Sequence, residues 1–335
     1  MRNPEMVLNN LVKNATKENY KFKRLYRNFY NPNFYIMAYA KLAPNGGNLT
    51  KGTMEQTIDG FGNKRIEKLI ELMKSEQYTP APARRVYIPK SNGKKRPLGI
   101  PSFEDKLIQE IVRLILEAIF EENFSEHSHG FRANKSCHTA LTEMKCCFTG
   151  CKWFVEGDIK SFFDNINHHI LIKLLKKKIE DDKFIRLIWK FLKAGYMEDW
   201  QFHKTYSGTP QGGIISPILS NIYLNELNVF MDKLKTNFDK GKARKKSVEY
   251  KRIENKKAYW KNKLKLLKND ENKRNQIISK LKDLEKDALI TPYSNPLDDN
   301  YKRIYYTRYA DDFLIGIIGS KTDAKEIKEK NKRIP

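Results

Sequence analysis

The stretch "YYTRYADDFLIG", residues 305–316, sets two adjacent aspartates, Asp311 and Asp312, inside an otherwise apolar and aromatic run. That pattern predicts two strands around a tight turn, with the carboxylates at its tip. Taken alone, the pair has an ordinary explanation, because Asp favours turns and a hairpin needs a polar tip. A third carboxylate weighs against it. In "CKWFVEGDIKSFFDNI", residues 151–166, a buried strand from Trp153 to Gly157 ends abruptly at Asp158. If the two strands are neighbours in one sheet, three carboxylates converge at its end, and their mutual repulsion calls for a cation. Oxygen ligands select hard ions, and a few carboxylates with water and phosphate suit Mg2+. Two such ions about 4 Å apart activate a 3′-hydroxyl and stabilise the leaving pyrophosphate of an in-line displacement. The chemistry implied is nucleotidyl transfer. Asp312, next to Asp311, points to the opposite side in an ideal strand, so its part depends on the turn.

Composition suits that chemistry. The 335 residues carry 64 Lys and Arg against 40 Asp and Glu, a formal net charge of +24, which points to a polyanionic partner. A hydrophobic fraction of 40% is enough for a buried core in one large or two modest domains. No apolar run approaches the ~20 residues needed to span a bilayer, and the N-terminal "MRNPEMVLNNLVKNATKENY" lacks an apolar signal core. The expectation is a protein without a membrane partner, in the cytoplasm or an organellar matrix. Cys137, Cys146, Cys147 and Cys151 crowd one segment with His138 but lack the paired spacing of zinc sites, and are expected to be small buried thiols.

Along the chain, the first 60 residues mix aromatic, basic and amide side chains, which reads equally as a small helical lobe or as a surface that grips phosphates and stacks bases. "ARRVYIPKSNGKKRPLGIP", residues 83–101, reads as a basic hairpin, and Ser102 caps a following helix with Leu107, Ile111, Leu114 and Ile115 inward. An amphipathic helix starts near His168. "SGTPQGGIISPILSNIYLNEL", residues 207–227, is a Gly/Pro turn leading into a long apolar helix with Pro217 in its first turn. From Asp232 to Ala288 there are 20 Lys and Arg against 9 Asp and Glu, with helical periodicity at Ile277, Leu281, Leu284 and Ala288. This predicts a basic helical hairpin inserted within one domain, or equally a solvated, charge-laced pair of helices.

The "YADD" hairpin, the "DIKSFFDNI" strand exit and the "GTPQGGIISPILSNIYLNEL" turn and helix resemble, in order and spacing, the core motifs of reverse transcriptases, and among these the group II intron-encoded proteins, or maturases. "RRVYIPKSNGKKRPLGIP", "HGFRANKSCHTAL", "LYRNFYNPNFYIMAYAKL" and "NGGNLTKG" extend the likeness over most of residues 25 to 320. The resemblance implies an α+β right-hand polymerase, with the carboxylates on an antiparallel palm sheet backed by helices. It implies an N-terminal extension of the fingers over 1–60 and fingers over 61–150, with the basic hairpin at 84–100 and a helix near 103–122. It places the palm over 151–335, with finger helices near 168–205 and the basic insertion near 232–300, and no thumb in this portion.

It further implies that Asp158, Asp311 and Asp312 hold two Mg2+ ions, with the Ile159 carbonyl as an added oxygen. Phe163 would lie beneath the incoming sugar, where a rigid ring excludes a 2′-hydroxyl; the plain alternative is that Phe162 and Phe163 are both core. Lys90 and Arg96 would hold the dNTP triphosphate, with Arg84 beside them, and Gln211 would touch nucleotide or template. Gly212 and Gly213 would let backbone approach the nascent base pair, or else merely open a helix. The partners implied are an RNA template, a DNA primer, dNTPs and the parent group II intron RNA. Two other readings stand beside RNA-directed DNA polymerase: an RNA-binding splicing cofactor that does not use the carboxylates, and a reverse transcriptase of a retron-like bacterial element.

Overall fold

The computed structural model describes residues 2–47, 49–89, 93–209, 212–267, 270–296 and 298–331. In chain order the helices and strands begin with α1 (Pro4–Ala15), α2 (Pro32–Leu42), α3 (Asn63–Lys74), β1 (Ala83–Pro89), β2 (Lys95–Ile100) and α4 (Phe103–Phe120). There follow α5 (Cys137–Cys147), β3 (Trp153–Asp158), α6 (Phe162–Asn165), α7 (His168–Lys176), α8 (Asp182–Lys193), β4 (Tyr196–Glu198) and β5 (Gln201–His203). The rest is α9 (Ser216–Phe238), α10 (Val248–Leu266), α11 (Glu271–Ile290), β6 (Arg303–Tyr309), β7 (Asp312–Ile318) and α12 (Lys321–Asn331). The α+β class expected from the sequence holds.

Two compact units result. The first comprises Met1–Leu141, Asp158–Val229 and Arg308–Phe313, and the second Thr142–Gly157, Phe230–Thr307 and Leu314–Pro335. In the first unit α4 is the central helix. Leu107, Ile108, Ile111, Val112, Ile115, Leu116 and Ile119 recur every three or four residues and are all fully buried, with α1 and α2 packed on them. Truncating one of these isoleucines to Ala would cost about 2–5 kcal/mol. Ser102 starts α4 as its cap, accepting from Asp105 N, and its own hydroxyl donates to Asp105 Oδ2 at 2.6 Å. Asp105 also accepts from Tyr78 Oη and from Ala81 N, and burial raises the pKa of both Asp105 and Tyr78. This buried knot ties the foot of the β1–β2 hairpin to α4.

Most of the N-terminal aromatics resolve as packing: Tyr26, Phe29, Phe34 and Tyr35 are buried, the last three completely. The four-stranded sheet of this unit runs β2-β1-β4-β5. β1 and β2 are antiparallel, with Ile88 opposite Arg96 and Pro89 opposite Lys95. β4 joins β1 in parallel and β5 in antiparallel fashion.

The second unit holds most of a three-stranded sheet ordered β3-β7-β6, whose strand ends Asp158, Arg308–Tyr309 and Asp312–Phe313 belong to the first unit. Lys152 N donates to Ile317 O at 2.9 Å, so the start of β3 lies beside the end of β7 and the pair is antiparallel. Ile304, Tyr306, Ile315, Ile317 and Ile318 are buried. The basic insertion is a helical pair, α10 packed on α11, and Ile277, Leu281, Leu284 and Ala288 are among its less exposed residues. Its start differs from the expectation near 232, because α9 continues unbroken to Phe238.

The cysteines also differ. Cys137, Cys146 and Cys147 are exposed and Cys151 half-buried, since α5 buries Ala140, half-buries Thr139, Glu143 and Met144, and leaves its cysteines on the outward side. Burial pushes the Cys151 thiol up to about 11. Among the described residues no helix is long and apolar enough to cross a membrane.

Candidate active site

Strand order and register put the three sequence-predicted carboxylates at one end of the β3-β7-β6 sheet. Asp158 is the last residue of β3 and Asp312 the first of β7, with Asp311 in the preceding turn. Six residues on from Lys152 is Asp158, and six back from its bonded partner Ile317 is Asp311. In an antiparallel pair that count brings Asp158 and Asp311 opposite one another. Asp311 is half-buried and Asp312 exposed. Among the described residues no three His, Cys, Asp or Glu side chains are gathered into a ready-made cation cage, so the trio shares a sheet end and not a closed cluster. The Ile159 carbonyl accepts from Phe162 N at 3.1 Å, which uses one of its two lone pairs.

The tip that carries Asp311 is held by a residue the sequence reading passed over. Arg308 is fully buried, and a buried guanidinium must be surrounded by oxygen. Its Nη1 donates to Ala310 O at 2.6 Å, Nη2 to Ser128 Oγ at 2.6 Å and Nε to Asn228 Oδ1 at 3.1 Å. Asn221 Oδ1 lies 3.4 Å from Nη1, and the Asn221 amide donates to Gly130 O at 2.9 Å. Asn221 and Asn228 are seven residues apart, two turns on one face of α9, and both are buried.

Arg308 N donates to His127 O, and His129 N to Arg308 O, both at 2.8 Å, so residues 127–129 run beside the strand. Ala310 takes a left-handed φ of 56°. A Cβ added at Gly130 would stand 2.3 Å from Ala310 N, so only Gly fits there. Two signals in the sequence point to this arrangement: a cation inside an apolar strand and amides on the apolar side of a helix.

Phe162 and Phe163 are both buried, and their rings meet edge-on. Phe163 also meets Phe131 edge-on, with centroids 6.3 Å apart, and Phe131 is half exposed. The backbone behind Phe163 is clamped by the Gly/Pro turn: Thr209 N donates to Phe163 O at 2.7 Å and Gly208 N to Ile166 O at 2.8 Å. His168 Nε2 lies 2.6 Å from Gly208 O. Burial lowers the His168 pKa. Gly212 has a φ of 105°, and a Cβ added there would lie 2.6 Å from Gly99 O on β2, a close approach of backbone to backbone within the protein.

Of the residues expected to bind substrate, Arg96 is exposed on β2, opposite Ile88. Arg84 is half-buried on β1, its Nε donating to Lys51 O at 2.9 Å. Lys90 and Gln211 lie outside the described residues.

Residues 88–250 match the family model described as reverse transcriptase (RNA-dependent DNA polymerase). The chain is 47% identical over 332 residues to the group II intron-encoded protein LtrA of Lactococcus lactis subsp. cremoris, an alignment covering 98% of this chain and 55% of LtrA. It is 42% identical over 308 residues to the 91 kDa protein in the cob intron of Schizosaccharomyces pombe, covering 91% of this chain and 37% of that one. With protein YkfC of Escherichia coli it shares 33% identity over 296 residues, covering 84% of this chain and 68% of YkfC. The chain thus spans about half the length of LtrA and a little over a third of the S. pombe protein.

Proposed function

This chain belongs to the reverse transcriptases and maturases encoded by group II introns, and from that premise we propose that it is an RNA-directed DNA polymerase that also binds and helps splice its intron RNA. One observation carries the reading: β3 and β7 are neighbours in one sheet, and Asp158 and the Asp311–Asp312 pair stand at the same end of it. The donors are carboxylate and carbonyl oxygens, a set suited to Mg2+. Asp158, Asp311, Asp312 and the Ile159 carbonyl would hold two such ions, which when bound activate the primer 3′-hydroxyl and stabilise the departing pyrophosphate.

The chain's own residues do the positioning. Arg308 holds the turn that presents Asp311. Phe163 floors the sugar site and disfavours a 2′-hydroxyl. Arg96, with Lys90 and Arg84, grips the dNTP triphosphate, and Gln211 contacts nucleotide or template. Residues 1–60 extend the fingers, 61–150 complete them, and 151–335 supply the palm with finger helices near 168–205. The net charge of +24 supports an RNA partner, whether template or intron. A bacterial cytosol or an organellar matrix is the expected setting.

Primer extension on poly(rA)/oligo(dT) with Mg2+, using the intact-length protein, tests the reading. Asp311→Asn is expected to lower dNTP incorporation by about a hundredfold or more. Binding to the cognate intron RNA should survive the same substitution and weaken steeply with salt. Equal incorporation by wild type and variant would remove Asp311 from the chemistry.

A further inference from the structure

The turn between β4 and β5 has no part in the chemistry above, yet it is built at a cost. Glu198 pairs with Gln201, so Asp199 and Trp200 form a two-residue hairpin turn, with φ of 48° and 64°. Such turns take Asn-Gly or Asp-Gly, because both residues must be left-handed. A bulky residue in that region is a backbone outlier, and Trp stands where Gly would be strain-free. Trp200 gains no burial in return, since it is 95% exposed.

Its surroundings are aromatic and basic. Phe202, two residues on in β5, is half exposed, and Tyr206 is 86% exposed. Tyr206 lines a cavity of about 360 Å³, together with Arg85, Tyr196 and Lys204. Arg85 sits 3.3 Å above the Tyr196 ring, which stacks on His203 with centroids 4.9 Å apart and planes 13° from parallel. Flat π surfaces are thus already layered here, and Lys95 and Arg96 are exposed on β2 of the same sheet, with Lys94 exposed just before it. Rings for bases and cations for phosphates are the two components of a single-stranded nucleic-acid platform.

We infer that the β4–β5 hairpin is a stacking site for unpaired RNA nucleotides, with Trp200 as its outermost ring. The inference rests on the proposed RNA partner but not on the polymerase reaction. It is tested by titrating the whole chain with short single-stranded oligo(rA) and with a blunt RNA duplex, without dNTPs.

Trp200→Ala and Trp200→Gly are expected to weaken single-strand binding about tenfold, Trp200→Phe to keep most of it, and duplex binding to change little. Trp200→Gly should also raise the melting temperature by about 2 °C, because Gly relieves the left-handed strain. Weaker binding by a more stable protein excludes misfolding as the cause. Unchanged oligo(rA) binding by Trp200→Gly overturns the site, as does a lowered melting temperature, which would make Trp200 a packing residue. Altered self-association with unaltered RNA binding also overturns it, in favour of a protein-docking face. Asp311→Asn, titrated in parallel, should bind oligo(rA) like wild type. If that variant still extends primers, the polymerase reading fails while the stacking result stands.

Discussion

Arg308 reaches across its own turn, Nη1 to the carbonyl of Ala310 at 2.6 Å, and so fixes the peptide that leads directly into Asp311. The same guanidinium is bonded to Ser128 and Asn228, so the hairpin tip is positioned by residues from two other parts of the chain. If the tip presents Asp311 to metal, Arg308 is a positioning residue. Arg308→Lys keeps the charge but loses the planar fork. It is expected to raise the Mg2+ concentration needed for half-maximal primer extension and to lower kcat about tenfold or more, with a smaller change in the KM for primer–template. A purely structural role would instead lower the amount of active enzyme and leave the Mg2+ requirement unmoved. Arg308→Met should unfold more readily, since each buried oxygen left without a donor costs about 1–3 kcal/mol.

Gly130→Ala tests the close approach from the other side. The new methyl group would collide with the backbone nitrogen of Ala310, which has no flexible end to yield. A loss of about 1–3 kcal/mol is expected from overpacking, together with reduced extension. Thermal melting and primer extension should fall together, and a variant as stable and active as wild type would show that the tip is not pinned there.

Phe163→Val addresses sugar selection. The ring is buried against Phe162 and Phe131, so its plane is set by neighbours and not by solvent. Removing it should lower the preference for dNTPs over rNTPs by about tenfold or more, at some cost in stability. Competitive incorporation of matched dNTP and rNTP gives the ratio, and an unchanged ratio would make Phe163 a core residue alone.

The His168 anchor carries a pH signature. Its pKa is depressed by burial, with His169 and Lys193 adding repulsion. Below the unfolded value near 6.5 the unfolded chain therefore takes up a proton that the folded chain resists. The stability this group contributes is present above about pH 6.5 and is lost as pH falls through the folded pKa. Urea unfolding at pH 7.5 and 5.5 should show wild type losing more stability on acidification than His168→Gln, whose amide still has a donor for Gly208 O. Parallel losses would remove His168 from the pH response.

Much of the fold was legible because local rules and tertiary packing agree. The Ser102 cap, the α4 stripe, the β1–β2 hairpin and the Ile277–Ala288 face of α11 follow from periodicity and capping, which depend on neighbours in sequence. The cysteines misled because small apolar side chains are usually buried, whereas α5 is a surface helix. The early aromatics were ambiguous because stacking surfaces and packed cores use the same rings, and only their burial separates the two.

For the candidate site, the sequence by itself determined the chemistry on offer: three carboxylates at strand ends, a strongly basic chain, and ordered motifs that resemble one enzyme family. Only the tertiary structure decided what holds them. The Arg308 cluster joins residues 128, 221, 228, 308 and 310, far apart in the chain, because a buried guanidinium must find its oxygen partners wherever the fold brings them. The two aspartates of "YADD" mark the candidate site; the arginine two residues before Ala310, read in the sequence as one more basic residue, is what holds their turn in place.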